Sequence, residues 1–363
     1  MQREYSVAVI GASGIVGAQI VSLLEERSFP VKKLQVFRSE SDEAESLEFK
    51  EETISYDLLC PPSLAGVDIA FFCATAEISA QYAPEIGKLG GGLAIDLSRV
   101  FRHDPSMPLV LPELNTKEIE WAFKGSKRRI LTLPSAVSAA VAIAVSPLVK
   151  DNKPERVLVT SYQAASSAGK KGLDELHQQI VSILNARSVE EKIFSPQAAF
   201  NVLPLVPPNS SLDAEGFSIQ EQLISSEVKR LLHVPGMTVS ATAAFVPVFI
   251  GDAVAVHIDF TNEVDLEKAR KALREAPSVL LTEELEEKQH PMPIIAAGED
   301  AILVGRLRKS GPRSLWLWLS YDNVRKGAAL SAVQLAEICI RDHAGAFEDD
   351  AKKSSIPSNV IKH

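Results

Sequence analysis

Cysteine is scarce in this chain. The three present, Cys60, Cys73 and Cys339, are odd in number and widely separated, which excludes a disulfide framework or a zinc site and fits a reducing compartment. Each reads most simply as a small buried hydrophobe. Positive charge is also in deficit: Lys and Arg number 38 against 47 Asp and Glu, a net charge of −9. No basic run is longer than Lys127-Arg128-Arg129, so the basic stripe that a nucleic-acid backbone demands is missing. Small anionic ligands stay open through local arginines. Long apolar runs are missing too. The longest, Ala139 to Val145, falls far short of a bilayer's thickness, and Met1-Gln2-Arg3-Glu4-Tyr5 has no signal-peptide profile. A cytoplasmic protein with no membrane and no nucleic-acid partner is expected. With 363 residues, 46% of them hydrophobic, two domains around buried cores are the starting count.

What is present begins with Val7-Ala8-Val9-Ile10-Gly11-Ala12-Ser13-Gly14-Ile15-Val16-Gly17. An apolar, β-branched run reads as a buried strand. The glycines that follow read as a tight turn into a helix carrying Ile20, Val21 and Leu24. Such a turn points bare backbone N–H groups, reinforced by the helix dipole, at a pyrophosphate. Gly14 and Gly17 have a second reading, in which they only let helix and strand pack closely.

The first third alternates strand and helix. Strands are expected at Lys33 to Phe37, Val67 to Cys73, Gly92 to Asp96 and Arg129 to Leu133, with helices at Ile78 to Leu89 and, after Pro134, at Ala136 to Val149. This is the pattern of a doubly wound nucleotide domain. From Arg156 onward the period changes to two, as in Val157 to Tyr162, Met237 to Thr242, Val254 to Phe260 and Leu315 to Leu319. That pattern predicts an antiparallel sheet with helices on one face. Trp316 and Trp318 face one side together, which suits either a dimer interface or a core. A helix is expected from Lys326 to Arg341, and the polar tail from Glu348 to His363 is expected to be disordered.

Several segments in order resemble the aspartate-semialdehyde dehydrogenase family, over residues 5 to about 341. They are Gly11 to Gly17, Asp96 to Arg102 with Pro108 to Asn115, Ser161 to Gly169, Phe200 to Pro204, and Val304 to Arg308 with Asp322 to Ala329. The resemblance implies a Rossmann-like N-terminal domain and a C-terminal α+β dimerisation domain with a mixed or antiparallel sheet. It also implies reductive removal of phosphate from an acyl phosphate through a cysteine thioester, with histidine as acid/base and NADPH as hydride donor.

Residue by residue, the resemblance places the nucleophile on Ala136, within Leu133-Pro134-Ser135-Ala136-Val137-Ser138. A methyl group cannot attack a carbonyl. Ser135 and Ser138 are nearby hydroxyls, read as helix caps rather than nucleophiles. The family glutamine matches Gln163. The carboxylate-gripping arginine falls on Phe245 and the catalytic histidine on Asp252, which could act as a base but reads better as a turn residue after Gly251. The substrate-binding glutamate falls on Gln220, beside Glu221, and its lysine on Leu223. His257 reads as a satisfied sheet histidine. Arg102 matches a phosphate-binding arginine; its other reading is a surface salt bridge with Asp104 or Glu113.

The expected cofactor site is Gly11, Ala12, Ser13, Gly14, Ile15, Val16 and Gly17 with Arg38 and Ser39. NAD or NADP is the expected cofactor, NADP being disfavoured by Glu40, Asp42, Glu43 and Glu45, carboxylates that would repel a 2′-phosphate. No metal is expected. Cys73, at the end of a different strand, is not a nucleophile candidate. Residues 1–133 plus about 323–345 are expected to form the nucleotide domain and 134–322 the second. The reading that follows is a homodimer of Usg-type character, a paralogue that keeps the fold and a dinucleotide or metabolite site without the chemistry. The alternative is an active NAD(P)-dependent semialdehyde dehydrogenase of amino-acid biosynthesis.

Overall fold

A computed structural model describes residues 3–38, 45–89, 91–123, 129–208, 210–282 and 290–351, the last four without their side chains. The chain divides into two compact units, residues 1–133 with 329–363, and residues 134–328.

The first unit opens with β1 (Tyr5–Ile10), whose side chains are nearly all buried, as a strand covered on both faces requires. The glycine turn leads into α1 (Ile15–Glu26) and then β2 (Val31–Phe37). A hairpin, β3 (Ser46–Phe49) and β4 (Glu52–Ser55), follows. The pattern resumes with β5 (Ile69–Phe72), α2 (Ala76–Lys88), β6 (Leu93–Asp96), the short α3 (Ile119–Phe123) and β7 (Ile130–Thr132). The parallel sheet runs β2-β1-β5-β6-β7. Strand order reverses at β1, where an open α/β sheet has its ligand crevice, and the glycine turn sits at that strand's carboxyl end. Ala8, Ile10, Ala70, Phe72 and Ala94 form one core with Ala83 and Ile86 of α2.

The second unit opens with α4 (Ala136–Val145), followed by β8 (Pro154–Gln163), α5 (Gly169–Leu184), α6 (Ile219–Leu232), β9 (Thr238–Phe245) and β10 (Asp252–Phe260). It closes with α7 (Leu266–Arg274), β11 (Val279–Leu281), α8 (Pro293–Ala296), β12 (Ile302–Gly311) and β13 (Ser314–Tyr321). The sheet order is β11-β12-β13-β10-β8-β9. The sheet is mixed rather than antiparallel, because β8 pairs with β9 and β11 with β12 in parallel. Period-two patterning reports which face a residue takes and says nothing of strand direction, so direction was not available from it.

Alternation divides this sheet cleanly. Val254, Val256 and Ile258 pair with Leu319, Leu317 and Leu315 on the inner face, all buried, and α4 and α6 pack against this unit's sheet strands. On the outer face Ala255 pairs with Trp318 and His257 with Trp316, all half-buried. Trp318 stacks on Tyr162 at 5.5 Å, and the His257 ring lies 4.7 Å from that of Trp316, tilted by 48°.

The chain then returns to the first unit through a π-helical turn (Arg325–Ala329) and α9 (Leu330–Asp342). The expected single helix from Lys326 thus starts four residues late. Asp322 causes the delay: its carboxylate accepts the N–H groups of Val324 and Arg325, and its carbonyl that of Gly327. Last comes α10 (Ala344–Ala351), which carries helix into the stretch expected to be disordered, held by Phe347 packed edge-on to Tyr5. Residues 352–363 lie outside the described residues. No described helix is long and apolar enough to cross a membrane.

Candidate functional site

In the first unit the three glycines of the turn separate by what each must tolerate. Gly11 adopts φ +86°, and a Cβ there would lie 2.8 Å from the Cys73 carbonyl oxygen. At Gly17 a Cβ would come within 2.3 Å of the Gly11 carbonyl oxygen. Both are required by packing. Gly14 is different: its Cβ would meet only the Gly11 carbonyl, at 3.3 Å. It is the N-cap of α1 and offers the helix no side-chain acceptor. The half-buried start of α1 thus carries no side-chain cap, and uncapped backbone at a helix start is the arrangement a pyrophosphate uses. The N–H groups of Gly11 and Ala12 are not part of it, since both donate to the Phe37 carbonyl. The Gly14 N–H is likewise taken, by the Gly11 carbonyl, so a dinucleotide bound at this turn would meet the backbone from Ile15 to Gly17 and would supply hydride chemistry.

Arg38 is half-buried at the end of β2 and Glu45 is exposed. Ser39, Glu40, Asp42 and Glu43 lie outside the described residues. Cys73 is half-buried; burial of its sulfur, and secondarily the neighbouring Asp96, push its thiol well up. It is not poised as a thiolate. Burial likewise raises Asp96, with both carboxylate oxygens accepting from Ser98. Arg102 is oriented by carbonyls: its Nε donates to Leu133 at 3.0 Å and an Nη to Leu97 at 2.5 Å.

In the second unit Ala136 is the first residue of α4, and it is half-buried while the rest of the helix is buried. A Cβ on Gly327 would sit 2.6 Å from the Ala136 Cβ, so that glycine makes room for the helix start. Ser135 is the N-cap, its Oγ accepting the Ser138 N–H at 3.3 Å. It does more than cap. Both its N–H and its hydroxyl donate to the Glu227 carboxylate, at 2.9 and 2.8 Å, and its Oγ lies 2.8 Å from the Ser138 hydroxyl. Sequence reasoning missed Glu227. The signal was a carboxylate on the apolar stripe of α6, between Leu223 and Ile224 on one side and Val228 and Leu231 on the other, all buried.

Gln163 ends β8 buried, its amide donating to the Ser161 hydroxyl at 3.1 Å. The next residue, Ala164, donates its N–H to Asp252 at 2.8 Å. Asp252 is not a turn residue. It opens β10, 1% exposed, with its second oxygen accepting the Tyr321 hydroxyl at 3.2 Å. Gly251, at φ +91°, absorbs the turn before it, and its N–H donates to Asn323. Burial, reinforced by Asp322, pushes the Asp252 carboxyl up to about 7 against the lowering effect of the Ala164 and Tyr321 bonds. The structure thus brings Gln163 and Asp252 to one end of the sheet.

Phe245 is a core residue, 1% exposed, with its ring 4.5 Å from that of Phe194. Leu223 is buried. Glu221 completes a capping box with Ser218 and accepts the Ala243 N–H. Gln220 is half-buried. His257 is bound through Nε2 to the Ser310 hydroxyl at 2.9 Å on the outer sheet face. No group of three metal-ligating side chains occurs among the described residues.

Comparison with known proteins decides the family. Residues 6–122 match the semialdehyde dehydrogenase NAD binding domain and residues 145–326 the semialdehyde dehydrogenase dimerisation domain. Aspartate-semialdehyde dehydrogenase of Aquifex aeolicus is 35% identical over 342 residues, covering 93% of this chain and 98% of that one. The chain belongs to the aspartate-semialdehyde dehydrogenase family. Aspartate-semialdehyde dehydrogenase 2 of Vibrio cholerae is 35% identical over 346 residues, covering 94% of this chain and all of that one. The crystal structure of aspartate semialdehyde dehydrogenase II from Vibrio cholerae, complexed with ASA, superposes with a TM-score of 0.88 at 34% identity over 94% of this chain and 100% of that one. Family membership accounts for both units: a Rossmann-like NAD binding domain of parallel strands and an α+β dimerisation domain around a mixed sheet.

Proposed function

We propose that this family member retains dinucleotide binding and dimerisation but not the thioester reaction, the Usg-type character expected from its sequence. One observation carries the proposal. The α4 N-terminus, where the resemblance places the nucleophile, begins with Ala136, and residues 134–328 contain no cysteine at all. The surroundings support it. Phe245 is core, Leu223 is buried and uncharged, and both Asp252 oxygens are taken by Ala164 and Tyr321. Four side chains that would act in one transition state are thus replaced or committed elsewhere. The cofactor is NAD rather than NADP, because Glu40, Asp42, Glu43 and Glu45 follow β2 in sequence. The molecule is a homodimer in which Trp316 and Trp318 anchor the outer sheet face.

The second reading, an active phosphorylating dehydrogenase of aspartate semialdehyde, is the one that the relatives' names favour. Its nucleophile would be Ser135, whose hydroxyl donates to Glu227. Phosphate-dependent oxidation of aspartate semialdehyde, followed at 340 nm with NAD and with NADP, separates the two. The proposal expects no turnover above background. Turnover lost in Ser135→Ala would establish the second reading instead. Calorimetric titration should show NAD binding more tightly than NADP, and a tight NADP isotherm would refute the cofactor assignment. Size-exclusion chromatography should give a dimer that Trp316→Ala with Trp318→Ala weakens, and a wild-type monomer would refute the assembly.

A further inference from the structure

A cavity of about 170 Å³ opens in the second unit beyond the C-terminal end of α4, away from Ala136. Its floor is apolar. Leu148, Phe260, Val264 and Leu315 line it and are all less than 10% exposed, and Ala269 and Ala272 of α7 form one wall. An enclosed apolar cavity of about 150 Å³ holds one benzene ring, and this one, open on its charged side, has room for a body of that size. The rim is charged and mostly of one sign. Asp151, Glu263 and Asp265 line it together with Lys268, and the Lys309 ammonium reaches the Val264 carbonyl at 2.9 Å, leaving the carboxylates in excess by one. The carbonyls of Ala142, Ile143 and Val145 at the end of α4 are taken by Ser146 and Leu148, so the sign of the rim rests on its side chains. The first-turn N–H groups of α7 do not offset this, because Asp265 already accepts those of Glu267 and Lys268. The loop that forms the rim is set by Asn152, whose amide donates to the carbonyls of Asn262 and Glu263 and accepts the N–H of Asn262.

We propose that this cavity binds a compact organic cation, a single ring or branched alkyl body seated on the apolar floor with a primary ammonium at the acidic rim. The volume sets the size of the body, the floor its polarity and the rim the sign of its charge. An anion such as benzoate would meet the same carboxylates and is excluded. The site shares no residue with the glycine turn or the α4 N-terminus, so it stands whether or not the chain is catalytic.

The test uses the full-length protein with benzylammonium, benzyl alcohol and benzoate as probes, read by saturation-transfer NMR and calorimetry at low salt. Benzylammonium should bind saturably, benzyl alcohol more weakly and benzoate not at all. Asp151→Asn with Glu263→Gln should weaken benzylammonium about fivefold, the amount two exposed charge pairs provide, and leave benzyl alcohol unchanged. Ala272→Leu, which fills the wall side, should abolish binding of both while leaving the circular dichroism spectrum and melting temperature intact. Equal affinity for benzylammonium and benzyl alcohol, binding that survives Ala272→Leu in a folded protein, or no saturation with any probe would each overturn the proposal.

Discussion

Asp252 lends itself to a quantitative test because its burial and its hydrogen-bond partners are both defined. In the folded protein its carboxyl is pushed from 3.8 up to about 7. The folded state therefore holds this proton more tightly than the unfolded chain. The stability it contributes is fully present below about pH 4 and is lost as pH rises through about 7. A shift of roughly three units corresponds to about 4 kcal/mol between those limits. Asp252→Asn removes the titration while keeping the geometry. The amide oxygen can still accept from Ala164, and the amide nitrogen can donate to the Tyr321 oxygen in place of the bond at 3.2 Å. Urea denaturation of both proteins at pH 5 and pH 8 isolates the effect as a double difference, so that titrations common to the two cancel. The variant should gain stability over wild type at pH 8 by about 2 to 4 kcal/mol relative to its standing at pH 5. If the two proteins shift in parallel between these pH values, the carboxyl is ionised in the native state and the reasoning fails.

Gly14→Ala should leave the melting temperature nearly unchanged and weaken NAD binding tenfold or more, whereas Gly17→Ala should cost about 3 kcal/mol, because its Cβ would lie 2.3 Å from a carbonyl oxygen; calorimetry and urea titration read the pair, and equal destabilisation by both would contradict the assignment. Ala136→Cys should create a thiol at the first position of α4 whose pKa the helix start lowers, so it should react with a disulfide reagent faster than any wild-type cysteine at pH 7. A rate no faster than wild type would mean that this helix start is closed to reagents. Glu175→Ala should cost about 3 kcal/mol, since its carboxylate accepts the N–H groups of Lys192, Ile193 and Phe194. Glu175→Gln, which keeps the shape, should cost less, and equal losses would make packing rather than hydrogen bonding the cause.

Fold and site differ in how far they could be read from the sequence. Val7 to Gly17 named the strand, the turn and the helix, because glycine at a positive φ and a β-branched run each report local backbone preference. In the second sheet alternation grouped Trp316 with Trp318 on one face, but which face is inner was not legible, because aromatic residues suit a core and an interface alike. The hairpin at Ser46 to Ser55 was not legible either, because strands of four residues such as Ser46-Leu47-Glu48-Phe49 are too short for their alternation to stand out beside an acidic run. At the site, the missing thiol at Ala136 was visible as a letter. The commitments of Ser135 to Glu227 and of Asp252 to Ala164 and Tyr321 were not. They join residues 92, 88 and 69 positions apart, and a single sequence holds no record of such distances. Asp252 shows the cost: a polar residue after glycine looks like a turn until the pairing of β10 with β8 and β13 places it inside.

The outer face of β13 has a consequence for how this strand can change. Leu315, Leu317 and Leu319 alternate with Trp316 and Trp318, so the largest side chains stand where the sheet is open and the smaller ones where α4 packs in this unit. Moving the strand by one residue would drive two indoles into leucine-sized space and turn three leucines to solvent. The strand can exchange its residues one at a time, but a single-residue insertion or deletion within it would unmake the unit, whereas the loops on either side can change length without moving that register.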